Sequence, residues 1–138
     1  MGKSIHDLMS SNPCAIEADK PVAYAAKMMK QEDVGLAPIV EGDRLVGTLT
    51  DRDIVLRVVA EGKDPQTVTA REVASTDLVT IDPQQDLDEA LRLMASNQVR
   101  RLPVVEEGRL VGVLAQADVA REAKEKQTGQ LVEDISQP

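Results

Sequence analysis

Aromatic side chains are almost missing from this chain: Tyr24 stands alone, with no Phe and no Trp. That leaves no stacking platform for unpaired bases, and any core must be built from Val, Leu, Ile, Ala and Met. Cys14 is the only cysteine and His6 the only histidine. A single Cys excludes an intrachain disulfide and fits a reducing compartment. His6 has no partner at zinc spacing, and no Ser or Cys nucleophile has an evident His base. Walker and Rossmann glycine runs are missing, and no spacing singles out two carboxylates for acid–base work. The chain therefore reads as no enzyme. Positive charge is also short. There are 16 Lys and Arg against 24 Asp and Glu, a formal net charge of −8 and a pI near 4.6. Such a balance opposes binding to a phosphate backbone. No apolar run is long enough for a bilayer, the first residues lack a signal core, and His6 stands where myristoylation wants Ser or Thr. A cytoplasmic location is the simplest expectation.

What is present is a duplication. The 138 residues are 42% hydrophobic, enough for one compact domain or two mutually dependent halves. The organising stretch runs from Leu45 through Val46, Gly47, Thr48, Leu49, Thr50, Asp51 and Arg52 to Asp53. It reads as a strand leading straight into a helix. Gly47 admits a ligand or another backbone, and Thr50 and Asp51 are good helix N-caps. The pattern returns as Leu110 to Asp118, with Gly112 standing 65 positions after Gly47. Ile81, Ala90, Met94 and Pro103 follow Ile16, Ala25, Met29 and Pro38 by the same step, without a gap from about Asp7 to Arg121. One such unit covers its apolar face poorly, and two can cover each other.

Each copy reads as β-α-β-β-α. In the first, residues 4–11 form a short helix or turn, and Cys14 to Ile16 a short strand. A helix follows Pro21, with Val22, Ala25, Ala26, Met28 and Met29 at helical spacing. Val34 to Val40 is a strand interrupted by Gly35 and Pro38, and a turn at residues 41–44 returns the chain as a hairpin. Asp53 to Ala60 is expected as a helix with Ile54, Val55, Val58 and Val59 inward, closed by Gly62. Ala70 to Ala74 repeats the opening turn. The fold class is α/β (α+β), two repeats related by a pseudo-twofold axis, with domains at 7–64 and 72–125. Residues 126–138 form a tail, polar until Leu131 to Ile135.

Ala90-Leu91-Arg92-Leu93-Met94, Val99 to Val105, Gly108 to Gly112 and Leu49 to Asp53, in this order and duplicated, resemble a tandem cystathionine β-synthase (CBS) domain pair, or Bateman module. Leu49 to Asp64 also resembles small stand-alone bacterial members of the stress- and hypoxia-response type. The resemblance implies two clefts between the copies, each able to hold an adenine nucleotide (AMP, ADP or ATP) as a regulatory ligand, with no required cofactor. S-adenosylmethionine and NAD are further adenosine-containing possibilities. Within the family motif G-x-x-[ST]-x-x-D, the hydroxyl and the Asp serve phosphate and ribose. Here it is complete at Gly47, Thr50 and Asp53, whereas the second copy has Gly112 and Asp118 with Ala115 in place of the hydroxyl. The Thr50/Asp53 site is therefore expected to be the stronger.

The resemblance further implies an adenine side at Asn12 and Cys14 in one copy and at Asp77 and Val79 in the other. Walls come from Val34, Gly35 and Leu36 and from Val99, Arg100 and Arg101. Arg100 and Arg101 are the candidate phosphate partners, because a guanidinium forks onto phosphate oxygens. Adjacent strand residues point to opposite faces, so one of the two could be a plain solvated charge. Thr50, Asp51 and Asp53 could equally serve only as a helix cap.

Three functions remain in competition. The first is a non-catalytic regulatory module that binds an adenosine-containing ligand and signals occupancy to an unknown protein partner, most simply as a homodimer. The second is a dimeric interaction protein whose nucleotide sites have decayed. The third is a metal or redox sensor on Cys14 and His6, for which two ligands are too few in one chain.

Overall fold

The computed structural model describes residues 4–11, 13–122 and 124. The elements run α1 (Ile5–Leu8), β1 (Ile16–Glu17), α2 (Val22–Glu32), β2 (Leu36–Glu41), β3 (Arg44–Thr50), α3 (Asp51–Ile54) with a π-helical turn (Val55–Val59), α4 (Ala70–Val73), α5 (Leu87–Asn97), β4 (Arg101–Glu106), β5 (Arg109–Ala115) and a last helix, α6, over residues 116–122. The five strands form one sheet in the order β1-β2-β3-β5-β4. β2 and β3 make one antiparallel hairpin, β4 and β5 the other, and each carries a register shift at the same place, Ile39/Val40 and Val104/Val105. The hairpins meet at the register pair Arg44 and Arg109, where the Leu45 N–H donates to the Gly108 carbonyl and the Leu110 N–H to the Asp43 carbonyl, beside two tight turns where Gly42 and Gly108 take positive φ. Ile16 pairs in parallel with Ile39, and Ile81 with Val104. The duplication in sequence is thus a pseudo-twofold repeat in space.

There are two cores, and each is completed by the opening helix of the other repeat. Ile5 of α1, fully buried, packs with Ile81, Met94, Leu102, Val104 and Leu114. Ala70 and Val73 of α4 pack with Ile16, Val22, Ile39 and Leu49. The exchange is fixed by backbone pairing after each helix, Ser10 with Val113 and Ser75 with Thr48. Gly47 and Gly112 make room for it. A β-carbon at Gly47 would lie 3.0 Å from the Ala74 β-carbon and 3.1 Å from the Ser75 carbonyl. At Gly112 it would lie 2.6 Å from Met9 Sδ and 2.8 Å from the Ser10 carbonyl. What these glycines admit is the exchanged segment.

One helical expectation fails. Ile54 is half-buried and Val58 buried, but Val55 and Val59 are 55% and 66% exposed. The Val55–Val59 turn is π-helical, with the Ala60 N–H donating to the Val55 carbonyl at 2.8 Å and Lys63 N–H to Val58 at 2.9 Å. Residues four apart share a helix face, so Ile54 and Val58 lie together on the inner side and Val55 and Val59 together on the outer one. The helix also starts earlier than expected, at Asp51, and the first strand is only Ile16–Glu17, leaving Cys14 and Ala15 before it. The tail at 126–138 lies outside the described residues.

Candidate functional site

A cleft of about 290 Å³ opens where the two repeats face each other. Cys14, Val34 and Leu36 line it from the first repeat, and Arg101, Ala115 and Asp118 from the second. Cys14 comes from the segment ahead of β1, Val34 from the loop after α2, and Leu36 from the first position of β2. Arg101 opens β4, pairs in register with Ala115 at the end of β5, and is half-buried, whereas its neighbour Arg100 is exposed. Asp118 sits in the first turn of α6, with Arg121 at 3.4 Å. Ser10, Pro13, Pro38 and Val113 complete the walls, and so does Glu32 from the last turn of α2.

This arrangement offers apolar walls, one guanidinium, two carboxylates and a thiol. Burial, and after it the charge of Glu32, pushes the Cys14 thiol above its ordinary pKa, so it is a neutral, small lining group. Among the described residues Arg101 makes no ion pair.

The other motif is differently engaged. Thr50 Oγ1 accepts from the Asp53 N–H, and Asp53 Oδ2 accepts from the Thr50 N–H, both at 3.0 Å. This capping box satisfies two otherwise orphaned donors at the start of α3. Asp53 also lies 3.8 Å from Arg57 Nε, and Arg57 donates to the Val73 carbonyl. Val79 packs against the second core, Asp77 is exposed, and Val99 is half-buried against that same core. Gly35 is exposed and its carbonyl accepts from the Asp51 N–H; a β-carbon there would lie 3.3 Å from the Asp51 carboxylate. Asn12 lies outside the described residues. So the cleft unites Cys14, Val34, Leu36, Arg101 and Asp118, while Thr50, Asp53, Asp77, Val79, Arg100 and Gly35 are not among its walls.

Glu32 is not among the residues that the sequence puts forward for the cleft. The signal that could have raised it is its place at the end of α2, two residues before the expected wall Val34. Among the described residues no three His, Cys, Asp or Glu side chains gather as a metal site, and no helix is long and apolar enough to cross a membrane.

The family model described as "CBS domain" matches twice, at residues 5–60 and 70–125. The CBS domain-containing protein YhcV of Bacillus subtilis is 44% identical over 117 residues, 85% of this chain and 83% of that protein. Hypoxic response protein 1 of Mycobacterium tuberculosis is 40% identical over 133 residues, 96% of this chain and 93% of that protein. A crystal structure of hypoxic response protein I with two coordinated zinc ions superposes with a TM-score of 0.80, covering 86% of this chain and 98% of that one. The CBS domain pair of protein MJ0100, in complex with 5-methylthioadenosine and S-adenosyl-L-methionine, superposes with a TM-score of 0.75 at 25% identity, covering 86% of this chain and 98% of that one.

Proposed function

Because this chain belongs to the CBS domain family as a tandem pair, we propose that it is a regulatory module without catalysis that binds an adenosine-containing ligand in the cleft between its repeats. The observation that carries this reading is the convergence of Cys14, Val34 and Leu36 with Arg101 and Asp118, drawn from opposite repeats around one opening. Asp118 is the acceptor for a ribose diol, Arg101 the donor to a phosphate oxygen, and the apolar walls hold the base. A ligand touching both repeats binds one relative orientation of them best and so shifts that equilibrium. The neighbour crystallised with methylthioadenosine and S-adenosylmethionine supports the ligand class. The hypoxic response relative supports a stress-linked signal, and a cytoplasmic location belongs to the same reading. Zinc is not carried over from the solved relative, because the donors do not converge among the described residues.

The test is calorimetric titration of the purified protein with AMP and adenosine, alongside Asp118→Ala. Binding that Asp118→Ala abolishes supports the reading. No heat and no thermal stabilisation at millimolar ligand overturns it.

The exposed Val55, Leu56 and Val59 favour a second element of the reading, a homodimer. An antiparallel second copy centred near Arg57 sets Val55 against Val59, Asp51 against Lys63 and Arg52 against Glu61, so the face complements itself in apolarity and in charge. At the corresponding places in the second repeat stand Ala120, Arg121 and Lys124, which offer no such face.

A further inference from the structure

Glu32 gives the cleft a charge that a phosphate-rich ligand does not want. Its side chain lines the opening beside Cys14, and its field acts on the thiol. Among the described residues it makes no ion pair or side-chain hydrogen bond, so nothing there neutralises it. Asp118 adds a second carboxylate, held by the exposed Arg121. Against these two the walls provide a single cation, Arg101. In the second repeat the position of Glu32 is taken by Asn97, whose amide donates to the Leu93 carbonyl at 2.9 Å. The carboxylate therefore belongs to one side of the pseudo-twofold only, the side where Ala115 has replaced the motif hydroxyl.

Resting on the ligand class proposed above, we infer that Glu32 makes this cleft selective for adenosine ligands of low negative charge: the free nucleoside, a cationic or zwitterionic derivative, or at most a single phosphate facing Arg101. Each further phosphate finds no second cation among the walls, Arg121 being engaged with Asp118, and approaches the uncompensated Glu32 carboxylate. Such like-charge contacts at an open cleft are screened and individually modest, but they act on every added charge. A volume of about 290 Å³ agrees, since it lies at the small end of ligand sites, roughly 300–1,000 Å³.

The experiment is calorimetric titration with adenosine, AMP, ADP and ATP, in EDTA and at one ionic strength, on the wild type and on Glu32→Gln. In the wild type, affinity is expected to fall from adenosine or AMP to ATP by about tenfold or more. In Glu32→Gln that ratio is expected to shrink about fivefold, chiefly by tighter ATP binding. Circular dichroism of the variant reports its fold, and the wild-type order is a test that needs no variant. ATP binding more tightly than adenosine, or an order that Glu32→Gln leaves unchanged, overturns the charge selectivity while leaving adenosine binding intact. Binding by none of the four removes both readings together.

Discussion

Ser10 and Val113 exchange both of their backbone hydrogen bonds, Ser10 N–H to the Val113 carbonyl at 2.8 Å and Val113 N–H to the Ser10 carbonyl at 3.0 Å. Ser75 and Thr48 repeat the exchange at 2.8 and 2.9 Å. Each bond pair stitches the segment after one opening helix onto the strand of the other repeat. Neither half is therefore a closed unit: α1 belongs to the first repeat in sequence and to the second in packing.

Gly112→Ala should destabilise the protein by about 1–3 kcal/mol, the usual cost of forcing atoms into packed space. Met9 Sδ is the end of a flexible side chain and can turn away, but the Ser10 carbonyl at 2.8 Å is backbone and locked by its pairing. Gly47→Ala should cost less, because its nearest contacts lie at 3.0 and 3.1 Å. Urea denaturation of both variants checks the order; equal stability of Gly112→Ala and the wild type would remove the close-approach argument.

Ile5→Ala should cost about 2–4 kcal/mol, as expected for an aliphatic side chain with no exposure. The loss should appear in the other repeat. Amide hydrogen exchange is expected to speed up in β4 and β5, around Leu102, Val104 and Leu114, more than in β2 and β3. Uniform acceleration of both hairpins would mean that the cores are not separately completed.

Thr50→Val should lower stability by about 1 kcal/mol through the lost cap, with or without ligand, because Thr50 Oγ1 is occupied by the Asp53 N–H. Thermal melts without ligand measure this directly. An unchanged melting temperature would free Thr50 and Asp53 from the capping role.

The Cys14 thiol, raised by burial first and by Glu32 second, should react slowly with iodoacetamide at mildly alkaline pH. Glu32→Gln should speed the reaction by removing the second cause. The sign for stability follows. A thiol whose folded pKa lies above its unfolded value favours the folded state as long as it is protonated. That contribution is whole below the unfolded thiol pKa and fades as pH rises from there through the folded one. Cys14→Ser should flatten stability against pH in this alkaline window, read from melting temperatures. A profile identical to the wild type would sink the assignment.

Most of the fold was legible because a step of 65 positions puts identical chemistry at Gly47 and Gly112 and at Arg44 and Arg109. The α1/α4 exchange was not, because Ile5 and Ala70 read as apolar whichever core receives them. Nor was the π-helical turn: Ile54, Val55, Val58 and Val59 fit a regular helix, and their spacing does not say which of the two i, i+4 pairs faces the core. At the cleft, strand alternation says that Arg100 and Arg101 part company but not which one enters. Glu32 was hidden because an acidic residue at a helix end is ordinarily a solvated one.

The exposed side of that π-helical turn carries the last prediction. A face with Val55, Leu56 and Val59 on it is costly to leave in water, and among the described residues the other exposed large apolar side chains are Tyr24 and Leu78. If a second copy covers it, Val59→Glu places like charges across the twofold axis and faces each with apolar surface. The wild type should then sediment as a dimer and Val59→Glu as a monomer, with an unchanged circular dichroism spectrum, since Val59 is two-thirds exposed within one chain. Arg52→Glu should weaken the dimer through its approach to Glu61, and the double change Arg52→Glu/Glu61→Arg should restore it. A wild type that sediments as a monomer at 100 micromolar (roughly the concentration at which a weak transient interface is populated) would remove the second copy as the occupant of this face.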